Sequence, residues 1–159
     1  MANMQEDIAK ALNRSYFYLK FRPRTEHEVR IYLHKKSEQF YHWSPEVIDA
    51  TIAELKNLNF INDRKFVDSF VATRIAIKPK GEFVLRQELL RHGVNKDILD
   101  DYFAENPLDQ EALARQILET RWTRYQRLDR KTRFEKAAQF LMRRGFSFSV
   151  AKKAIQEVK

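Results

Sequence analysis

The residues that could do chemistry are few and dispersed. The four histidines, His27, His34, His42 and His92, do not pair with a carboxylate or with each other at metal-ligand spacing on one face. Solvated or partly packed rings are therefore expected, and no metal site. Asp100 and Asp101 are adjacent, so on a helix they diverge and make no acid–base pair. Cys is absent, which removes disulfides, thiolate zinc sites and a cysteine nucleophile. That fits a reducing compartment without establishing one. With 3 Gly in the chain there is no phosphate-cradling G-x-x-x-x-G-K-[ST] or G-x-G-x-x-G loop. No catalytic residue and no cofactor is expected.

Cations are the better candidates. Arg121, Arg124, Arg127, Arg130, Lys131 and Arg133 place a charge at nearly every third residue, with Trp122 and Tyr125 between them. On a helix Arg121, Arg124 and Arg127 would drift slowly round one face as a ridge. Guanidinium groups pair with phosphates and carboxylates, and the two rings could stack on bases. A solvated face with Trp122 and Tyr125 turned to the core explains the same pattern, and both alternatives stay open. Arg143 and Arg144, with Lys152 and Lys153, form a second basic set, and Arg22, Arg24 and Arg30 a smaller one. Lys78-Pro79-Lys80-Gly81 reads first as an ordinary helix linker.

The charge is unevenly placed. Residues 1–113 hold 17 Lys+Arg against 18 Asp+Glu, whereas residues 114–159 hold 13 against 4. The whole +8 excess therefore lies in the last third and suggests an acidic partner such as nucleic acid. Just ahead of it, the stretch 97–111 carries Asp97, Asp100, Asp101, Glu105, Asp109 and Glu111 and no Lys or Arg. No apolar run approaches the roughly 20 residues that span a bilayer, and the N-terminus lacks the apolar core of a secretory signal. A cytoplasmic protein with no membrane partner is expected.

The elements that position these residues are helices. Ile8, Ala11, Leu12, Ser15, Tyr16 and Leu19 fall on one helical face, and Pro23 ends that segment. Thr25 and Glu28 make a capping box, Ser44-Pro45 is a helix start, and Asp63, Asn95, Asp109 and Ser147 cap further helices. Nine helices and no strand are expected. Leu85, Leu89, Gly93, Asn95 and Ile98 recur at an offset of 52 as Ala137, Leu141, Gly145, Ser147 and Val150. Val29, Leu33, Ser44 and Val47 fit the same pattern, with a longer connection over 35–43 in place of the Gly turn. The fold class is all-α: three tandem three-helix repeats, at 1–60, 61–107 and 108–159, stacked as an elongated, curved right-handed-type array.

These residues resemble the bacterial RecX regulators. The resemblance rests on Arg24-Thr25-Glu26-x-Glu28-Val29, on Leu58-x-Phe60-Ile61-Asn62-Asp63 through Phe66, Phe70 and Arg74, on Lys80-Gly81, on Arg86-x-Glu88-Leu89 with Gly93, and on Phe140-Leu141-x-Arg143-Arg144-Gly145-Phe146, in family order over roughly 10–155. It implies a monomeric protein that binds the RecA filament on single-stranded DNA and modulates, mostly inhibits, the recombinase, with a weak direct DNA contact. Contact residues expected on this basis and from the charge are Arg24, Arg30, Arg74, Lys80, Arg86, Arg121, Arg124, Arg127, Arg130, Lys131, Arg133, Arg143 and Arg144. A helical DNA-binding regulator of transcription is the alternative, since short helices meeting at tight turns can mimic that motif.

Overall fold

The structure is a computed structural model, and it describes residues 3–159. Those residues form ten α-helices and a π-helical turn, with no strand among them. The helices are α1 (Met4–Leu19), α2 (Glu26–Lys36), α3 (Pro45–Asn57), α4 (Asp63–Ile77), α5 (Glu82–Arg91), α6 (Lys96–Glu105), α7 (Gln110–Glu119), α8 (Trp122–Tyr125), α9 (Arg130–Arg143) and α10 (Phe148–Glu157). The described residues fall into two compact units, 3–68 with 90–99, and 69–89 with 100–159.

The helix starts follow local hydrogen-bonding chemistry. The hydroxyl of Thr25 accepts from the Glu28 N–H at 3.2 Å, and the Glu28 carboxylate accepts from the Thr25 N–H at 3.0 Å, so two otherwise unpaired donors are satisfied reciprocally. Ser44, Asp109 and Ser147 accept from the N–H groups of Val47, Ala112 and Val150. Asp63 is a correction to its expected capping role. Asn62 accepts from the Lys65 N–H at 3.0 Å at the start of α4, while Asp63 accepts from the Glu26 N–H at 2.9 Å in the first turn of α2. Burial raises the pKa of Asp63, with Glu26 and Glu28 pushing the same way and the Glu26 N–H and Lys56 opposing.

The three-helix units share one packing register. Val29 and Leu33, Leu85 and Leu89, and Ala137 and Leu141 are all fully buried. Gly93 and Gly145 follow the second and third of these pairs with φ of 79° and 96°, the left-handed turn that favours glycine. In the first unit of the pattern His42, at φ 51°, takes that position. The connection is longer there because Ser37–Tyr41 continue α2 as a 5-residue π-helical turn, closed by the His42 N–H donating to the Ser37 carbonyl at 2.8 Å. Those five residues are the excess of Leu33–Ser44 over Leu89–Asn95.

Each of the two compact units has its own core. In the first, Val29, Leu33, Trp43, Ile48, Ile52 and Leu55 pack with Ala11 of α1. In the second, Leu118, Trp122, Phe140, Leu141 and Phe146 pack with Ala114, Ala151 and Ala154. Trp122 explains why α7 does not run on as one helix. The Thr120 hydroxyl donates to the Ile117 carbonyl at 2.7 Å, Arg121 leaves the helical region at φ −120°, ψ −3°, and Trp122 turns into the core at the start of the short α8.

Candidate functional site

The cations expected to act together divide by what they touch. Arg30 binds Glu26 and Asp49 at 3.3 and 2.6 Å, and Arg86 binds Glu82 and Asp100 at 2.8 and 2.6 Å. These are the same acid–Arg–acid bracket in two repeats: an acid one turn before the arginine and an acid five residues past the cap of the next helix, Ser44 or Asn95. The hydrogen bond to Asp49 raises the pKa of Arg30 against burial. At Arg86 burial is the largest single effect and lowers the pKa, but Glu82 and Asp100 together outweigh it and raise it. Glu88 binds both Arg74, at 3.0 Å, and Lys80. Arg24 lies over the Tyr18 ring, its guanidinium carbon 4.1 Å from the centroid, with a buried Nε that has no hydrogen-bond partner. Arg22 is absorbed by Glu28 at 2.6 Å.

The third repeat is different. At the positions of Glu26, Arg30 and Asp49 it has Phe134, Ala138 and Lys152, so the bracket is gone. Its connection between first and second helices spans residues 120–129 and includes α8, against 20–25 and 78–81 in the other two. α9 also begins a turn early, at Arg130, capped by Asp129 accepting from the Thr132 N–H at 3.0 Å. The basic stretch of the sequence is this enlarged connection and extra turn. Arg121, Arg124 and Arg127 therefore do not form a ridge on one helix, because Arg121 lies between helices, Arg124 in α8 and Arg127 in the following turn. Trp122 is buried and Tyr125 is half-buried against the same core, so both rings are turned toward the packed interior of the unit.

Arg124, Arg127, Arg130, Lys131 and Arg143 are exposed. Among the described residues, none has an acidic partner within 4.0 Å. Arg133 is committed locally, donating to the carbonyls of Gln126 and Leu128 at 3.3 and 2.9 Å, with its guanidinium 5.9 Å from the Trp122 ring centroid. A cleft of about 750 Å³ lies here, lined by Trp122, Phe134 and Ile155 with Arg130, Lys131 and Arg133. Lys153, from the second basic set, pairs with Glu111 at 2.6 Å. Arg121 and Arg144 lie over Phe140, their guanidinium carbons 4.6 and 5.3 Å from its centroid. Arg144 is tied to the 78–81 connection twice, its carbonyl accepting from the Gly81 N–H at 2.7 Å and its Nη1 donating to the Pro79 carbonyl at 3.3 Å.

Sequence reasoning placed the basic stretch but missed Glu88 and Phe140 as the partners that separate neutralised cations from open ones. The signal was present, since Glu88 and Phe140 coincide at the offset of 52. Among the described residues no group of three or more His, Asp or Glu could hold a metal ion. No described helix is long and apolar enough to cross a membrane.

Family models for RecX match the chain in order: the first three-helix domain at residues 11–55, the second at 62–102 and the third at 109–155. The chain is 33% identical over 147 residues to the regulatory protein RecX of Streptococcus gordonii, covering 92% of this chain and 54% of that protein. It is 33% identical over 149 residues to that of Geobacillus kaustophilus, covering 91% and 52%. The chain thus spans about half the length of these curated relatives. The crystal structure of RecX from Lactobacillus salivarius superposes with a TM-score of 0.85 at 28% identity, covering 97% of each chain. A second crystal structure of regulatory protein RecX gives 0.79 at 27% identity, covering 97% of this chain and 74% of that one.

Proposed function

This chain belongs to the RecX family, and from that premise we propose that it regulates the RecA recombinase by binding the RecA filament on single-stranded DNA in the cytoplasm, acting as a monomer and without chemistry of its own. The observation that carries this is the enlarged connection of the third domain, where Arg124, Arg127, Arg130 and Lys131 stand exposed with no acidic partner among the described residues. A filament offers phosphates and acidic protein surface side by side. A helical protein contacting neighbouring subunits lowers the free energy of one filament conformation by its preferential binding to it. It thereby slows strand exchange and ATP turnover. The unpaired charge speeds encounter and makes it salt-sensitive. Arg30, Arg74, Lys80 and Arg86 hold helices together in this account, and the contact falls to the third domain.

The test is binding to RecA-coated labelled single-stranded DNA. Changing Arg124, Arg127, Arg130 and Lys131 together to Ala removes exposed charge, and exposed sites of this kind change stability by about ±0.5 kcal/mol each. Affinity is expected to fall at least tenfold with the helical spectrum intact. Unchanged affinity at every salt concentration would remove the connection from the interface. Tight, sequence-specific binding to naked duplex instead would favour a transcription regulator.

A further inference from the structure

One cross-helix position is occupied in three chemically different ways. Tyr18, Arg74 and Arg121 each lie seven residues past a fully buried residue of their repeat's first helix: Ala11, Val67 and Ala114. Tyr32, Glu88 and Phe140 each directly precede the buried Leu33, Leu89 and Leu141. The pairs they form are a stacked Tyr18–Tyr32 at 4.1 Å between centroids, an Arg74–Glu88 ion pair at 3.0 Å, and Arg121 lying 4.6 Å from the Phe140 centroid. The first is neutral. The second is an arginine with a built-in carboxylate, which also binds Lys80. The third keeps the arginine, has a ring where the carboxylate was, and adds a second arginine, Arg144, on the same ring.

This leaves two half-buried guanidinium groups sharing one buried ring with no anion between them. Among the described residues neither has an acidic partner within 4.0 Å, and the Arg121 guanidinium makes no hydrogen bond to the protein. Arg144 spends one donor on the Pro79 carbonyl. Each guanidinium carries five donors in a planar fork suited to an oxyanion. Burial, and then repulsion from Arg121, pull the pKa of Arg144 down, as for a cation lacking its counter-charge. A ring face offsets part of the desolvation of a cation but accepts no hydrogen bonds in the guanidinium plane.

We propose that Arg121 and Arg144 form an oxyanion-binding site that takes a backbone phosphodiester of a single-stranded nucleic acid. A strand is favoured over an acidic protein side chain because the site does not stand alone. Arg124, Arg127, Arg130, Lys131 and Arg143 in the same unit are exposed without acidic partners, and a polymer with one negative charge per nucleotide engages such a series where a single carboxylate does not. This deepens the filament reading by naming one contact as a strand phosphate. Its test needs no RecA, so the two can fail separately.

The probe is a fluorescently labelled 20-nucleotide oligothymidylate, read by anisotropy over a salt series. Arg121→Gln with Arg144→Gln is expected to weaken binding about tenfold at low salt and to flatten the slope of log K against log salt by roughly 0.7 per lost contact. Arg115→Gln with Lys153→Gln removes the same charge from the same unit, but from the internal pairs with Glu157 and Glu111, and is expected to change binding less than threefold. Phe140→Glu restores the second domain's carboxylate and is expected to mimic the double Gln variant. Should that variant not fold, the Gln pair, checked by circular dichroism, carries the test alone. A labelled polyglutamate peptide is expected to be indifferent to the pair. The proposal is overturned if the parent does not bind the oligonucleotide at low salt, if the two double variants bind it alike, or if the pair matters to polyglutamate and not to the oligonucleotide.

Discussion

Replacing Thr25 by Val keeps the shape of a fully buried side chain and removes only its hydroxyl. That oxygen accepts from the Glu28 N–H at 3.2 Å and donates to the His92 carbonyl at 2.6 Å. It therefore caps α2 and pins α2 to the turn after α5 within the first unit. Losing the cap costs about 1 kcal/mol. Removing the Thr25 hydroxyl's hydrogen bond to the partly buried His92 carbonyl costs roughly 1–3 kcal/mol more. The sum, about 2–4 kcal/mol, corresponds to a melting-temperature drop of roughly 5–15 °C for a chain of this size. Thr25→Ser keeps both hydrogen bonds and loses one methyl, which predicts about 1 kcal/mol. Urea denaturation followed by circular dichroism measures both, with the slopes required to match the parent's. A Val variant within 0.5 kcal/mol of the parent, or a Ser variant as damaged as the Val variant, would refute the reasoning. It would also undercut the assignment of this motif to architecture rather than to partner contact.

The remaining predictions concern the core and pH. Leu89→Ala and Leu141→Ala, both fully buried at equivalent positions, should each cost about 2–5 kcal/mol in the same denaturation assay. Glu28 is raised by burial but held below its ordinary value by Arg22, the Thr25 N–H and His92 together. Glu26 and Glu88 are likewise lowered on balance by their Lys and Arg partners. Because the folded pKa lies below the unfolded one, their stabilisation is present above the ordinary value of 4.5 and is lost as pH falls through the folded values. A urea midpoint measured against pH should therefore fall below about 4.5, and Glu28→Gln should make that fall shallower. Asp63, raised by burial, acts with the opposite sign. A profile that is flat down to pH 2 would contradict these assignments.

The helices were legible in the sequence wherever the signal was local. The Thr25–Glu28 box, the Ser44, Asp109 and Ser147 caps and the buried Leu89 and Leu141 need only a few residues of context. The π-helical turn was not legible, because a five-residue excess can be an open loop or a helical insertion with the same composition. Asp63 looked like a cap because the donor it serves, the Glu26 N–H, is 37 residues away. The cationic ridge failed for a related reason. Spacing alone cannot show that Trp122 is buried and that this ends α7 before Arg121, Arg124 and Arg127 can share a face. Separating open cations from neutralised ones also required tertiary pairs, such as Arg30 with Asp49 and Arg74 with Glu88, 19 and 14 residues apart.

The central claim is regulation of a RecA filament, and ATP turnover by RecA on single-stranded DNA tests it most directly. Increasing amounts of this protein should lower the steady-state turnover to a plateau, with no ATP hydrolysis by the protein alone. The variant with Arg124, Arg127, Arg130 and Lys131 changed to Ala should need at least ten times more protein for the same effect. Turnover that is unchanged at saturating amounts of folded protein would contradict the account.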